Sequence, residues 1–239
     1  MRIYFVLISL LLCSALVKAE QGQVKVVQLA PNVYQHISYL KLEVWGLVPA
    51  SGLIYVSGQD AYLIDTPWTQ EGTEQLIEWL KEQKLNLKGA IVSHHHKDAS
   101  GGLSYLHSLG VKTYAHGLTN ELLTKLKREP ANVSVDDSYT LLDGQLEIFY
   151  PGGGHAKDNV VVWLPEAKLM FGGCFVKSAK SRSLGNLEDA VVEEWSASID
   201  KVLQRYKEAD VVVPGHGKVG DLGLLTHTQS LVKANQTKR

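Results

Sequence analysis

SHHHKD (93–98) follows a short run, 90–93, of apolar and β-branched residues that is typical of a buried β-strand. Because side chains alternate along a strand, an extended backbone through this segment would point His94, His96 and Asp98 the same way. The two residues between them would then point elsewhere. Imidazole nitrogens and carboxylate oxygens are both good ligands for Zn²⁺. On its own the segment is equally compatible with a polar loop that binds nothing.

Three further segments place a metal-binding type of side chain after glycines at the end of an apolar run. They are PGGGHAKDN with His155, FGGCFVK with Cys174 and VVPGHG with His216. A lone histidine is more often structural than a ligand, but four such segments together predict a shared rim. Six donors divided between two ions leave three for each, so each ion keeps an open position, which is typical of hydrolytic rather than structural sites.

Length and composition predict one ordinary globular domain. The chain has 239 residues, of which 45% are apolar and 21% charged, and no Ser/Gly-rich, Pro-rich or like-charged stretch interrupts it. The formal net charge is −1. No segment is strongly basic, which argues against nucleic acid as a partner.

Residues 1–19 are predicted to be a secretory signal peptide, so the mature domain would span 20–239. Arg2 gives a basic start, an apolar stretch follows, and a small residue, Ala19, ends a plausible cleavage site. We therefore expect export to the periplasm and no membrane attachment after cleavage. Lipidation at Cys13 is the alternative. Cleavage would leave Cys174 as the single cysteine, and metal ligation would explain a thiol that has no disulfide partner, although it could also be a small buried residue.

Short strand-like and helical patterns alternate along the chain. The strand-like runs are 33–37, 52–56, 61–65, 90–93, 111–115 and 210–213, and the helical patterns are 72–83, 103–109, 119–128, 193–207 and 222–233. Thr119 or Asn120 would cap the third helix. Asp143-Gly144 and Pro165-Glu166 each predict a hairpin. Such an order predicts an α+β fold with two packed sheets and helices outside, whose strand order stays open.

Beyond the ligand segments, the sequence resembles the class B metallo-β-lactamases of the first subclass, close to the imipenemase type. The resemblance rests on LIDTPW, TNELL, YPGGGH with DNVVVWLPE, GGCFVK and LGNLEDA, and it runs from residue 33 to the C-terminal helix. It implies a four-layer αβ/βα sandwich made of two mixed β-sheets with helices on the outer faces. It also implies a monomer.

The resemblance implies two zinc ions per chain. Their ligands would be His94, His96 and His155 at the first site, and Asp98, Cys174 and His216 at the second. Lys177 would pair with a substrate carboxylate, and Asn186 would help to polarise the lactam carbonyl. Asp98, Lys177 and Asn186 would thus be the catalytic residues.

The resemblance also implies surroundings for the metal ions. Residues 40–49 would form a mobile flap in which Val44 and Trp45 cover the substrate, although Trp45 could equally be a core residue. Asp65 would be the acid that lies beneath the histidine segment and orients metal ligands.

The activity implied by the resemblance is zinc-dependent hydrolysis of the β-lactam amide bond of penicillins, cephalosporins and carbapenems, which confers antibiotic resistance. A zinc-bound hydroxide would be the nucleophile, so no serine needs to form a covalent intermediate.

Four positions depart from the family pattern. Lys97 would disfavour the second zinc unless it faces solvent, and His95 could bind metal non-productively. Ala99 stands where a basic or hydroxyl residue often supports the second site. Gly153 replaces a usual proline and would loosen the loop that carries His155.

Two other functions fit parts of the pattern. Thioester-cleaving, glyoxalase-like hydrolases of the same fold place a second histidine directly after the aspartate, where this chain has Ala99, and they use a bridging aspartate where it has Cys174. A periplasmic zinc-binding protein without catalytic activity would need neither open metal positions nor Lys177.

Overall fold

The computed structural model describes residues 22–237, so the predicted signal peptide lies outside the described residues. The strands are β1 Lys25–Ala30, β2 Val33–Leu42, β3 Gly46–Ser57, β4 Asp60–Ile64, β5 Asn86–Val92, β6 Lys112–His116, β7 Val133–Val135, β8 Ser138–Leu141, β9 Leu146–Phe149, β10 Val161–Leu164, β11 Leu169–Gly173 and β12 Val211–Pro214. The helices are α1 Gln70–Glu82, α2 Lys97–Ser100, α3 Leu103–Ser108, α4 Gly117–Lys125, α5 Val192–Arg205 and α6 Gly223–Gln236. Between residues 22 and 237, no helix combines the length and the apolar character needed to cross a membrane.

The strands form two mixed sheets. The first has seven strands in the order β1-β2-β3-β4-β5-β6-β7, antiparallel from β1 to β4 and parallel from β4 to β7. The second has five strands in the order β12-β11-β10-β9-β8, and only its β11–β12 pair is parallel. The parallel pairs require crossover connections, which the helices supply.

Three apolar clusters show how the layers stack. A cluster that includes Leu53 and Ile91 of the first sheet and Phe171 of the second fills the space between the sheets. A second cluster packs α1 and α3 on the outer face of the first sheet, and a third packs α5 and α6 on the outer face of the second. The predicted sandwich of two sheets between outer helices is therefore confirmed.

Most predicted elements are present, and α1 shows why. Thr69 caps the helix by accepting a hydrogen bond from the Gly72 N–H, an acidic residue lies in the first turn and Lys81 lies in the last. The apolar face of this helix is buried against the first sheet. Both predicted hairpins are also confirmed, as the antiparallel pairs β8–β9 and β10–β11.

The predicted cap of α4 is wrong. The helix begins at Gly117, and the side chain of His116 accepts a hydrogen bond from the Leu118 N–H. Thr119 is fully buried, and its hydroxyl donates to the Asp158 carbonyl instead. The physical reason is that the helix begins two residues before Thr119. The ring nitrogen of His116, and not the hydroxyl of Thr119, therefore lies where it can accept from an N–H of the first turn.

His36 on β2 is a buried histidine whose surroundings make stability depend on pH. Its Nε2 lies 3.1 Å from the Asp65 carbonyl oxygen. Burial lowers the pKa of His36 to about 4, against the hydrogen bonds that raise it. A base whose folded pKa lies below its unfolded value binds more protons when unfolded, so stability is lost as pH falls from about 6.5 to about 4.

We expect His36→Gln to flatten that dependence. In urea titrations with a chelator present, the free energy of unfolding of wild type should fall by up to about 3 kcal/mol more than that of the variant between pH 6.5 and 4. His227→Gln, which changes a partly exposed histidine, is the control. Parallel pH profiles for wild type and His36→Gln would contradict the assignment.

Candidate metal centre

The predicted ligand segments meet at one edge of the sandwich. Residues 93–98 follow β5 in the first sheet, whereas Cys174 follows β11 and His216 comes shortly after β12 in the second. His155 lies in the connection from β9 to β10. The fold thus places the metal-binding side chains of both sheets around one point.

The route by which His94 and Asp98 converge differs from the prediction. The extended backbone ends at His96, with φ −66° and ψ 158°, and Asp98 lies in the first turn of α2. His94 Nε2 and Asp98 Oδ1 are still only 3.5 Å apart. The helical turn also leaves Lys97 exposed to solvent, so its charge is screened from the site.

The second predicted ligand set is assembled around one carboxylate oxygen. Asp98 Oδ2 lies 3.1 Å from Cys174 Sγ and 3.1 Å from His216 Nε2. Cys174 Sγ and His216 Nε2 are 3.3 Å apart. Three donors at these mutual distances form a candidate metal site.

The three histidines of the first predicted set lie beside it, His94 and His96 grouped with Asp98 and His94 and His155 grouped with Cys174. His96 Nδ1 and His155 Nε2 are 3.2 Å apart, and the ring centres of His94 and His155 are separated by 5.2 Å. His94 Nε2 is buried and has no hydrogen-bond partner among residues 22–237. A buried nitrogen facing other nitrogens without a partner is costly unless a cation lies between them.

The outer nitrogens of three histidines have acceptors that fix the ring tautomers. His94 Nδ1 lies 3.1 Å from Ser93 Oγ, His96 Nε2 lies 2.9 Å from Asp189 Oδ2, and His216 Nδ1 lies 2.6 Å from the Pro49 carbonyl oxygen. With the proton on the outer nitrogen, the inner lone pair of each ring points into the centre. The residues therefore fit divalent metal ions.

Asp65 supports this arrangement from below, as predicted from the resemblance. Its carboxylate accepts hydrogen bonds from the Ser93 N–H at 2.6 Å and the Ser93 hydroxyl at 2.7 Å. Burial raises the pKa of Asp65 to about 8, although both Ser93 contacts oppose this rise. A cation at the adjacent ligands would favour the ionised carboxylate.

The surroundings also set the protonation of the ligands. Burial lowers the pKa of His94 to about 4 and that of His155 well below the ordinary value, so both rings are neutral at pH 7. Burial raises the pKa of the Cys174 thiol, and Asp98 raises it further. Burial would raise the pKa of Asp98 as well, but the 3.1 Å contact with His216 and the nearby His94 hold it well below its usual range. Lys177 opposes this rise in the Cys174 pKa, and a bound cation would further favour the thiolate that metal ligation requires.

A cleft of about 510 Å³ opens onto the centre. Its wall includes Lys177 and Asn186, as well as four of the six predicted metal ligands: His96, Asp98, His155 and His216. Lys177 Nζ lies over the ring of Trp195, 5.4 Å from its centre, and burial lowers the pKa of this lysine. The Asn186 amide oxygen accepts from the Glu188 N–H at 3.1 Å, so its amide nitrogen remains available as a donor toward the cleft.

The predicted flap is the end of the β2–β3 hairpin rather than an irregular loop. Pairing continues as far as Leu42 opposite Gly46, so only the turn between them is unpaired. Val44 is 85% exposed and Trp45 is 64% exposed, which excludes Trp45 from the core. Trp45 lines the cleft and Val44 does not.

Several supporting residues were not singled out in the sequence. Ser93 and Asp189 orient ligands, and only their positions beside HHH and within LGNLEDA hinted at this. Arg128 reaches the ligand segment from beyond α4, donating to the His95 carbonyl at 2.7 Å and to Ser100 Oγ at 2.9 Å. Arg128 thus places a cationic group beside the backbone of the ligand segment, whereas the side chain of Ala99 carries no basic or hydroxyl group.

Gly153 is held more firmly than its lack of a side chain suggests. Its N–H donates to Glu194 Oε2 at 3.1 Å, and its carbonyl accepts from Ser198 Oγ at 2.7 Å. A proline could not make the first of these bonds. The loosening predicted for this loop is therefore offset by contacts with α5.

Comparisons with known proteins agree with this geometry. A model of the metallo-β-lactamase superfamily matches residues 45–216. A type 2 metallo-β-lactamase of Pseudomonas aeruginosa is 41% identical across 100% of this chain and 98% of its own. The crystal structure of VMB-1 is 50% identical, has a TM-score of 0.88, and covers 90% of this chain and 98% of its own.

A third relative adds information about the metal. The mono-zinc form of the metallo-β-lactamase FIM-1 from Pseudomonas aeruginosa is 35% identical, has a TM-score of 0.87, and covers 91% of this chain and 98% of its own. A protein of this fold has thus been crystallised in a mono-zinc form. On the combined evidence of the sandwich, the converging ligands and these matches, the chain belongs to the metallo-β-lactamase superfamily.

Proposed function

We propose that this protein is a zinc-dependent hydrolase that opens the amide bond of β-lactam antibiotics and so confers resistance to them. The observation that carries the proposal is the convergence of six His, Asp and Cys donors beside a cleft that four of them line and that has a lysine in its wall. The relatives named as metallo-β-lactamases support the choice of substrate.

We propose that the metal is zinc, with two ions per chain. His94, His96 and His155 would hold one ion, and Asp98, Cys174 and His216 the other. Imidazole, thiolate and carboxylate donors together suit Zn²⁺ better than the oxygen-preferring Mg²⁺ or Ca²⁺. Zn²⁺ bound to these ligands would supply a Lewis acid and a nucleophile generated from water at neutral pH.

The chain's own residues would bind and orient the substrate. Lys177 presents a positive charge to the carboxylate that these antibiotics carry, and Asn186 can donate its amide N–H to the lactam carbonyl as negative charge develops there. Val44 and Trp45 at the hairpin tip would cover the apolar part of the ligand and exclude water. Asp98 would hold its cation and orient the attacking group.

An assay on the protein without residues 1–19 tests the proposal. It should hydrolyse a chromogenic cephalosporin, lose this activity in EDTA and regain it with Zn²⁺. Failure on penicillins, cephalosporins and carbapenems together with hydrolysis of a thioester would favour the glyoxalase-like alternative. Zinc binding without either activity would favour a sequestering protein.

Lys177→Ala is expected to raise KM about tenfold and to leave kcat within about threefold, because it removes a charge-assisted contact made in both the ground state and the transition state. Lys180→Ala removes an exposed lysine three residues away and is the matched control. A fall in kcat without a change in KM would contradict a role in binding. Initial rates across a range of cephalosporin concentrations separate the two parameters.

We further propose that residues 1–19 direct export to the periplasm, where the domain 20–239 acts as a monomer. Fractionation of expressing cells and the mass of the exported protein test this proposal. A measured mass equal to that of a chain beginning at Glu20 would support cleavage after Ala19. A lipid-modified product that retains Cys13 would favour the lipoprotein alternative. Size-exclusion chromatography with light scattering measures the molar mass in solution and so tests the proposed monomeric state.

A further inference from the structure

His95 is a buried histidine beside the metal centre that neither ligand set uses. Its side chain is 4% exposed, and that of its partner Asp158 is fully buried. His95 Nδ1 lies 3.0 Å from Asp158 Oδ1, and the His95 backbone N–H donates to the other carboxylate oxygen at 2.8 Å. This two-point contact identifies Nδ1 as the protonated ring nitrogen and leaves a lone pair on Nε2.

That lone pair faces a second carboxylate. His95 Nε2 and Asp189 Oδ2 are 3.7 Å apart, which is too long for a hydrogen bond. The same carboxylate oxygen lies 2.9 Å from His96 Nε2. The three residues bring one donor atom each to within 4.8 Å of the others, and Asp189 is 46% exposed, so an ion could enter from solvent.

We propose that His95, Asp189 and the outer nitrogen of His96 form a third binding site, which takes a borderline divalent transition-metal ion such as Zn²⁺. Two donors on one tetrahedral Zn²⁺, each about 2.1 Å from it, lie about 3.4 Å apart, close to the His95–Asp189 separation. Imidazole and carboxylate suit Zn²⁺, Ni²⁺ and Cu²⁺. Asp158 holds the His95 ring in the tautomer that such ligation needs.

His96 makes this third site compete with the predicted first site. While His96 Nδ1 binds an ion there, its Nε2 keeps a proton, and His95, Asp189 and water would hold the third ion. Full use of His96 by the third ion would release the Nε2 proton to solvent. In either case the ion draws Asp189 away from the hydrogen bond that orients His96, so excess zinc should weaken the first ligand set.

Metal stoichiometry tests the third site directly. The protein without residues 1–19 is dialysed to equilibrium against rising Zn²⁺, and bound metal per chain is measured. Wild type should bind one additional, weaker equivalent, and His95→Phe should weaken it at least about tenfold while the tighter equivalents stay unchanged. Asp189→Asn should weaken the additional equivalent as much, and it should also loosen the predicted first set because Asp189 orients His96. His107→Phe removes a histidine that also contacts a carboxylate, Glu129 at 3.2 Å, but lies outside the cluster, so it should retain the additional equivalent.

Asp189→Asn keeps an oxygen acceptor for His96 and changes a half-exposed side chain, so it remains informative if His95→Phe fails to fold. An unchanged additional equivalent in both variants would overturn the proposal. Absence of the additional equivalent from wild type would also overturn it, and would show that His95 acts only as an ion-pair partner of the two carboxylates. Inhibition of cephalosporin hydrolysis by excess Zn²⁺, relieved in His95→Phe, is the expected consequence and rests on the proposed function. The dialysis result does not depend on it.

Discussion

Replacing Cys174 by serine is expected to lower kcat/KM for a chromogenic cephalosporin at least about 100-fold and to remove one of the two tightly bound metal equivalents. Cys174 Sγ is the softest donor in the centre and lies 3.1 Å from Asp98 and 3.3 Å from His216. A serine hydroxyl has nearly the same size, but it does not ionise near neutral pH and is a poor zinc ligand. Asp98 and His216 would then hold the second ion with two protein donors.

Stopped assays and metal analysis of the same samples measure this effect. The equivalent proposed to be held by His94, His96 and His155 should remain, because Cys174 belongs to the other proposed set. Near-ultraviolet circular dichroism checks that the fold is kept. Wild-type activity with both equivalents retained in Cys174→Ser would show that the thiol is a buried core group and not a ligand.

Asp65→Asn is expected to lower zinc affinity 10- to 100-fold, although Asp65 contacts no ion in the proposed arrangement. Asp65 has a φ of +60°, a left-handed conformation that asparagine tolerates well, so backbone strain should not confuse the result. The amide oxygen can still accept from the Ser93 N–H. Its NH₂ group, however, would face the Ser93 hydroxyl, which now has to accept a hydrogen bond.

The Ser93 hydroxyl would then donate toward His94 Nδ1 and move the imidazole proton to Nε2, the nitrogen that faces the metal. Ser93→Ala separates this effect from a loss of packing, since it leaves the tautomer free instead of fixing the wrong one. We expect Ser93→Ala to cost less affinity than Asp65→Asn, and the double variant to cost less than the sum of the two. Chelator competition measures all three. Additive losses would rule out the Asp65–Ser93–His94 relay.

The sequence predicts the layers of this fold well because apolar periodicity and turn residues report directly on burial. The hairpin at Pro165-Glu166 and the buried face of α1 follow from such patterns. β1 and β7 were not predicted, because β1 has no buried residue and β7 has one, so the apolar signal is weak. Strand order depends on contacts between distant residues and leaves no local pattern.

The grouping of the proposed metal ligands could be predicted because their residue types are rare and their spacing is informative. The contacts that support these residues could not be predicted. His216 donates to a backbone carbonyl, that of Pro49, which every residue type carries, and Arg128 reaches the ligand segment from a remote helix end. The convergence of His94 and Asp98 was also predicted for the wrong reason, because the extended backbone ends at His96 and the first turn of α2 is what brings Asp98 back toward His94.

The carbonyl of Pro49 links the cover of the cleft to its floor. Pro49 pairs with Tyr39, three pairs from the turn of the β2–β3 hairpin, and its carbonyl accepts from His216. Two residues further on, the Ser51 N–H donates to the Gly215 carbonyl at 2.8 Å. These two hydrogen bonds clamp the hairpin at Pro49 and Ser51. The end of the hairpin beyond this clamp can therefore bend while the proposed ligand His216 keeps its position. Inhibitors of different widths should therefore select resistance substitutions along the free end, 40–48, and leave the clamp untouched.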